Sequence, residues 1–151
     1  MPCVRRIKCR AMSLKLLKPL IFVLLASLPS ASLAQKWALG GYDPVAYVTR
    51  DQAVPGRGDI STKWRGKDYH FASNENRALF ESNPRAYTPG FDGLCVVALA
   101  EGRAEPGDPR QFVTIGQRVY LTGSSARKRE LLERPRKILM EAKGMWVKLR
   151  P

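Results

Sequence analysis

Few residues in this chain can do chemistry. His70 is its one histidine, and of its three cysteines only Cys95 lies away from the first ten residues, where Cys3 and Cys9 stand. Imidazole, thiolate and thioether are the donors that Cu(I) prefers, so His70 and Cys95 are the candidate metal ligands, with Met140 or Met145 as a third. A structural zinc site asks for roughly four Cys or His ligands and a catalytic one for about three protein ligands, more than the body of the chain offers without carboxylates. The same pair has the residue types of a thiol nucleophile and its base, with Asp43, Asp68 or Asp92 available to orient the imidazole. Cys95, however, opens an apolar run, and burial leaves a thiol inert. Tyr69, beside the histidine, is the candidate to contact a cofactor in a small pocket closed by the turn over residues 87–93. No Ser-His-Asp spacing, phosphate-cradling glycine motif or glycosidase-like pair of carboxylates stands out.

The elements that must position these residues are short. Ile60 to Trp64 and Tyr69 to Phe71 flank Arg65-Gly66-Lys67-Asp68, a hairpin signal. Ser73 is placed to cap a helix with Glu75 in its first turn, and Asn83-Pro84 ends that helix because the residue before proline is pushed out of helical geometry. Leu94 to Ala100 is continuously apolar and fits a buried strand or a helix equally. Phe112 to Ile115 and Arg118 to Leu121 flank Gly116-Gln117 as a second hairpin. A basic helix follows to Glu133, Pro135 breaks it, and a second piece runs to Gly144, with Met145-Trp146-Val147 docking back. Before all of these, Gly40-Gly41 leads into a proline-fixed turn at Pro44, and a surface loop is expected from Thr49 to Asp59. No internal repeat is visible. The expected class is α+β: small antiparallel hairpins packed with short helices in a single compact domain.

Residues 1–34 read as a cleaved export signal. Arg5, Arg6, Lys8, Arg10, Lys15 and Lys18 precede the apolar stretch Leu20 to Leu28 and the small residues Ser32-Leu33-Ala34. Met12 is an alternative start to Met1. The expected location is the periplasm or outside the cell, which argues against a nucleic-acid partner. Loss of this segment lowers the net charge from +13 to +7, and the remaining excess sits mostly in residues 121–151. That basic end suits an acidic protein or a membrane surface. The division expected is a signal peptide over 1–34, a domain over 35–126, and a basic C-terminal helical extension over 127–151 that packs on it.

Four motifs in order resemble the YHS domain family in its small secreted branch. They are Gly41-Tyr42-Asp43-Pro44-Val45-Ala46-Tyr47; Trp64 to Phe71 with Tyr69-His70; Ser73 to Phe80 followed by Asn83-Pro84-Arg85-Ala86-Tyr87; and Asp92-Gly93-Leu94-Cys95. The resemblance covers nearly all of residues 39–146. It implies a YHS-like domain over 35–126 and, from the family's metal-handling members, a transition metal such as copper as ligand. This chain departs from those members: Ala46 stands where they tend to carry a cysteine, and the helix from Ser73 has none. Three readings follow: a binding module for a transition metal, an interaction protein that uses its basic C-terminal helices, and a thiol-dependent enzyme.

Overall fold

The computed structural model describes residues 37–149. The expected export signal, its alternative starts and its two cysteines lie outside the described residues. Within them the class is α+β, with six α-helices and two separate two-stranded antiparallel sheets. In chain order these are α1 (Pro44–Arg50), β1 (Arg57–Trp64), β2 (Lys67–Phe71), α2 (Asn74–Ser82), α3 (Pro84–Tyr87), α4 (Val96–Ala100), β3 (Asp108–Ile115), β4 (Arg118–Thr122), α5 (Ser125–Glu133) and α6 (Pro135–Leu149).

Turn chemistry sets both sheets. Arg65 and Gly66 alone link β1 to β2, both with positive φ (49° and 75°), the turn whose twist matches that of paired strands. Lys67 and Asp68, expected in the turn, pair instead with Trp64 and Lys63. Gly116, at φ 64°, opens the β3–β4 turn as expected. Serine hydroxyls cap the two helices that follow: Ser73 accepts from the Asn76 amide and Ser124 from the Arg127 amide. Each helix stops two residues before a proline, and that proline opens the next helix, α3 or α6.

These parallels extend through the whole described chain. β1, β2, α2 and the start of α3 recur as β3, β4, α5 and the start of α6 after a constant 51 residues, as from Arg57 to Asp108. Both hairpins have one register, with an irregularity at the same place. The Gly56 amide donates to Gly41 as Gly107 does to Gly93. Each copy begins with three consecutive residues at positive φ, Leu39-Gly40-Gly41 and Phe91-Asp92-Gly93. The chain is thus two copies of one unit, against the expectation of no repeat. Identities are sparse (Val45 with Val97, Tyr69 with Tyr120, Ser73 with Ser124, Pro84 with Pro135), and α4 is shorter than α1, which shifts the register between copies.

Three further expectations change. The proline-fixed turn is the start of α1: Asp43 accepts from the Val45 amide as its cap and Pro44 supplies a preset φ, so the helix runs on into the expected loop as far as Arg50. The ambiguous apolar run is α4, capped by Cys95. The boundary at residue 127 falls inside α5, and Leu131, Ile138 and Ala142 are core residues packed with Cys95 to Leu99. The helical C-terminal part is therefore the second copy's own helices, not an addition to a finished domain. One core cluster belongs to each copy, around Phe71 and Phe80 in the first and around Leu99 and Leu131 in the second, and a third joins them through Tyr47, Val119 and Leu121.

Candidate functional site

His70, Tyr69 and Cys95 are buried, and His70 and Cys95 share no hydrogen-bond partner. His70 lies on β2, 3% exposed, with Nδ1 3.1 Å from the Arg57 carbonyl. A carbonyl only accepts, so Nδ1 carries the proton and donates. Nε2 is the buried side-chain nitrogen or oxygen without a partner among the described residues. Trp37 stacks on the ring at 4.4 Å. Tyr69 sits in an aromatic cluster with Trp64 and Phe80, and burial, with Asp92 adding to it, pushes its phenol up to about 12.

Cys95 has its own set of partners. Its sulfur accepts from the Gly123 amide at 3.1 Å and from the Ala98 amide and Arg127 Nη1 at 3.5 Å each. In the first copy Asp43 fills this seat: one carboxylate oxygen accepts from the Val45 amide and the other from the Ala72 amide and the Asn76 side chain. Gly123 corresponds to Ala72 and Arg127 to Asn76, so the cysteine stands where its twin has a carboxylate. None of the partners of Cys95 is a partner of His70. Asp43 is thereby committed, Asp68 pairs with Lys63 and Asp92 with Lys67. Among the described residues no group of three or more His, Cys, Asp or Glu could hold a metal ion.

A cleft lies elsewhere, its smaller part on the seam between the copies and its larger part within the second. It consists of two adjoining cavities of about 500 and about 350 Å³ that share Phe91, Arg118 and Trp146. Trp64 and Arg65 reach it from the first hairpin, and the Arg65 guanidinium lies 4.6 Å above the Trp64 ring. Arg85 comes from α3, Arg118 from the start of β4, and Leu139, Lys143 and Trp146 from successive turns of α6. Residues 88–91 form its floor. The turn expected to close a pocket beside His70 therefore closes one beside Trp64. Gly90 is required there, since a Cβ would run into the Tyr120 ring.

The charges of the cleft are one-sided. Among the described residues Arg65, Arg85, Arg118 and Lys143 have no carboxylate within ion-pairing distance, and Asp92, which also lines the smaller cavity, is paired with Lys67. Arg127, expected as part of a free basic face, is instead tied to Glu105 at 2.8 Å, and that bond, with Cys95 second, holds its proton more firmly than in free arginine. The sequence signal for the cleft was faint. Its cations are far apart in the chain, and only the adjacency of Trp64 and Arg65 hinted at a guanidinium on an aromatic face.

The chain matches no known family model, no curated protein and no solved structure. Of the four sequence motifs, Gly41 to Tyr47 spans the left-handed turn and α1, Tyr69-His70 lies in β2, and Pro84 to Tyr87 forms α3 after Asn83. All three belong to the first copy. The fourth, Asp92 to Cys95, opens the second at the position of Gly40 to Asp43.

Proposed function

We propose that this chain is an exported, YHS-like binding module that captures a small anion in the cleft between Trp64 and Trp146. The observation that carries this reading is the convergence of four cations without carboxylate partners on aromatic walls. Guanidinium groups present a planar fork of donors suited to carboxylate or phosphate, and one already held against an indole face loses less freedom on binding. The experiment is a titration of the purified chain with small carboxylates and inorganic phosphate, read by tryptophan fluorescence and repeated at raised salt. Binding should weaken as salt rises and fall away in Arg118→Glu. Affinity unchanged by that substitution would overturn the reading.

A second reading keeps the transition metal, because the unpartnered Nε2 of His70 is a free ligand atom. Among the described residues Cys95 is held by other donors, so copper or zinc would need ligands from outside this pair. The test is metal retained after desalting, by elemental analysis, in wild type beside His70→Leu and Cys95→Ala. The second copy carries a buried leucine, Leu121, where the first has His70, so His70→Leu should preserve the fold and remove the metal alone. Equal retention in His70→Leu would end this reading.

A further inference from the structure

The two copies differ most in one element. From the proline that follows the capped helix, the first copy makes the single helical turn Pro84–Tyr87, whereas the second continues through Pro135–Leu149. The added turns divide their side chains between two duties. Ile138 and Ala142 are buried in the second copy's core. Leu139, Lys143 and Trp146, spaced to share another face of the helix, line the cleft, and Leu139 and Trp146 also pack against the edge of that core. Met140 stands at its mouth, 75% exposed. The helix thus carries apolar side chains beside a cavity as well as in the core, and an apolar-lined cavity with a few convergent polar groups is the usual form of a small-molecule site. Phe91, which both cavities share, is held at φ 54°, a conformation unfavourable for a bulky L-residue.

The two cavities are also chemically unlike. Tyr120, Leu139, Met140 and Trp146 make the larger one mainly apolar, with Lys143 at its rim. The smaller gathers Arg65, Arg85 and Arg118 above Thr88 and Pro89. One ligand that satisfies both has an apolar body and an acidic head. Resting on the proposal that the cleft is the binding site, we infer that its ligand is a free amphiphilic anion, an acyl or aryl chain carrying a carboxylate or phosphate. The head meets the three guanidinium groups of the smaller cavity. The body passes Phe91 and Trp146 into the larger, whose flexible methionine adapts to chain shape. The volumes lie within or near the roughly 300–1,000 Å³ of small-molecule sites, so a detached molecule is the occupant favoured over a membrane surface.

The test titrates the intact chain, freed of its signal, with dodecanoate below its micelle concentration. Acetate, dodecyltrimethylammonium and anionic phospholipid vesicles run in parallel, and binding is read by equilibrium dialysis and tryptophan fluorescence. Dodecanoate should bind at one equivalent and weaken by about tenfold or more, the effect of losing one charge-assisted contact, in Arg118→Glu. It should weaken similarly in Leu139→Asp, which leaves the guanidinium groups in place, while thermal melts confirm that both variants fold. Because Leu139 also packs partly on the core, Met140→Asp, on an exposed side chain, is the second probe of the apolar chamber. Acetate that binds as tightly as dodecanoate, with loss in Arg118→Glu, would overturn the amphiphile and leave the anion site standing. Binding of dodecyltrimethylammonium as tight as that of dodecanoate, or no binding of any anion, would overturn both. Association with vesicles without binding of monomeric dodecanoate would replace the free molecule by a membrane.

Discussion

At the scale of the residue, the two copies serve as controls for each other. Asp43 and Cys95 cap equivalent helices, and their backbone amides make equivalent bonds to Val54 and Glu105, both at 2.8 Å. The same seat therefore accepts a carboxylate or a sulfur, provided that it accepts. Cys95→Ala removes the acceptor and leaves the amides of Ala98 and Gly123 and one donor of Arg127 unanswered in a buried place. That should cost about 1–3 kcal/mol, the usual penalty for stranded buried donors. Cys95→Asp restores an acceptor opposite a guanidinium and should lose less than Cys95→Ala. Urea unfolding of the two variants beside wild type decides it, and a larger loss for the aspartate would show that the seats are not equivalent.

At the scale of the element, the fold was legible wherever a local rule acts alone. Gly66, Gly116, Ser73 and Pro84 announced the hairpins, the cap and the break, because a positive φ, an orphan amide or a missing N–H leaves little choice of residue. α1 was hidden: Pro44 reads as a turn until Asp43 is seen to cap it, and seven residues carry too little periodicity to decide. The repeat was hidden because packing conserves shape while admitting exchanges such as Phe80 for Leu131. The loop between α4 and β3 shows what sequence leaves unassigned. Glu105 accepts from Arg103 and from Arg127, and these bonds, that from Arg103 first, hold its carboxyl below the usual glutamate value. A lowered folded value means that the proton is lost more readily in the folded chain than in the unfolded one. The contribution to stability is therefore present above the unfolded value of about 4.3 and fades as pH falls through the folded one. Glu105→Gln should melt at lower temperature than wild type at pH 7, modestly because the pair is exposed, and the curves should converge in more acidic solution. A gap that persists undiminished at low pH would assign the effect to something other than this charge.

At the scale of the whole molecule, the question is whether two similar units are two independent domains. Each has its own hairpin, helices and core cluster, which suggests independence. The third cluster argues otherwise. Tyr47 of the first copy is 1% exposed and packs with Val119 and Leu121 of the second, its ring lies 4.9 Å from that of Phe112, and its hydroxyl donates to the Pro109 carbonyl at 2.8 Å. Separating the copies would expose this ring and its partners and strand that carbonyl. Units of this size bury little of their unfolded surface, about 60% for a chain of roughly 60 residues, and have slight stability to spare. Two fragments divided at Pro89, residues 35–89 and 90–149, should each lack a cooperative melt alone and regain helical circular dichroism and a melt when mixed. The recovered midpoint should rise with fragment concentration, because association and folding are then one equilibrium. Tyr47→Phe in the first fragment should weaken the recovery without abolishing it, since it removes one hydrogen bond and keeps the ring. A cooperative melt from either fragment alone would make the copies independent domains. The cleft along their seam would then depend on how two separately stable bodies dock.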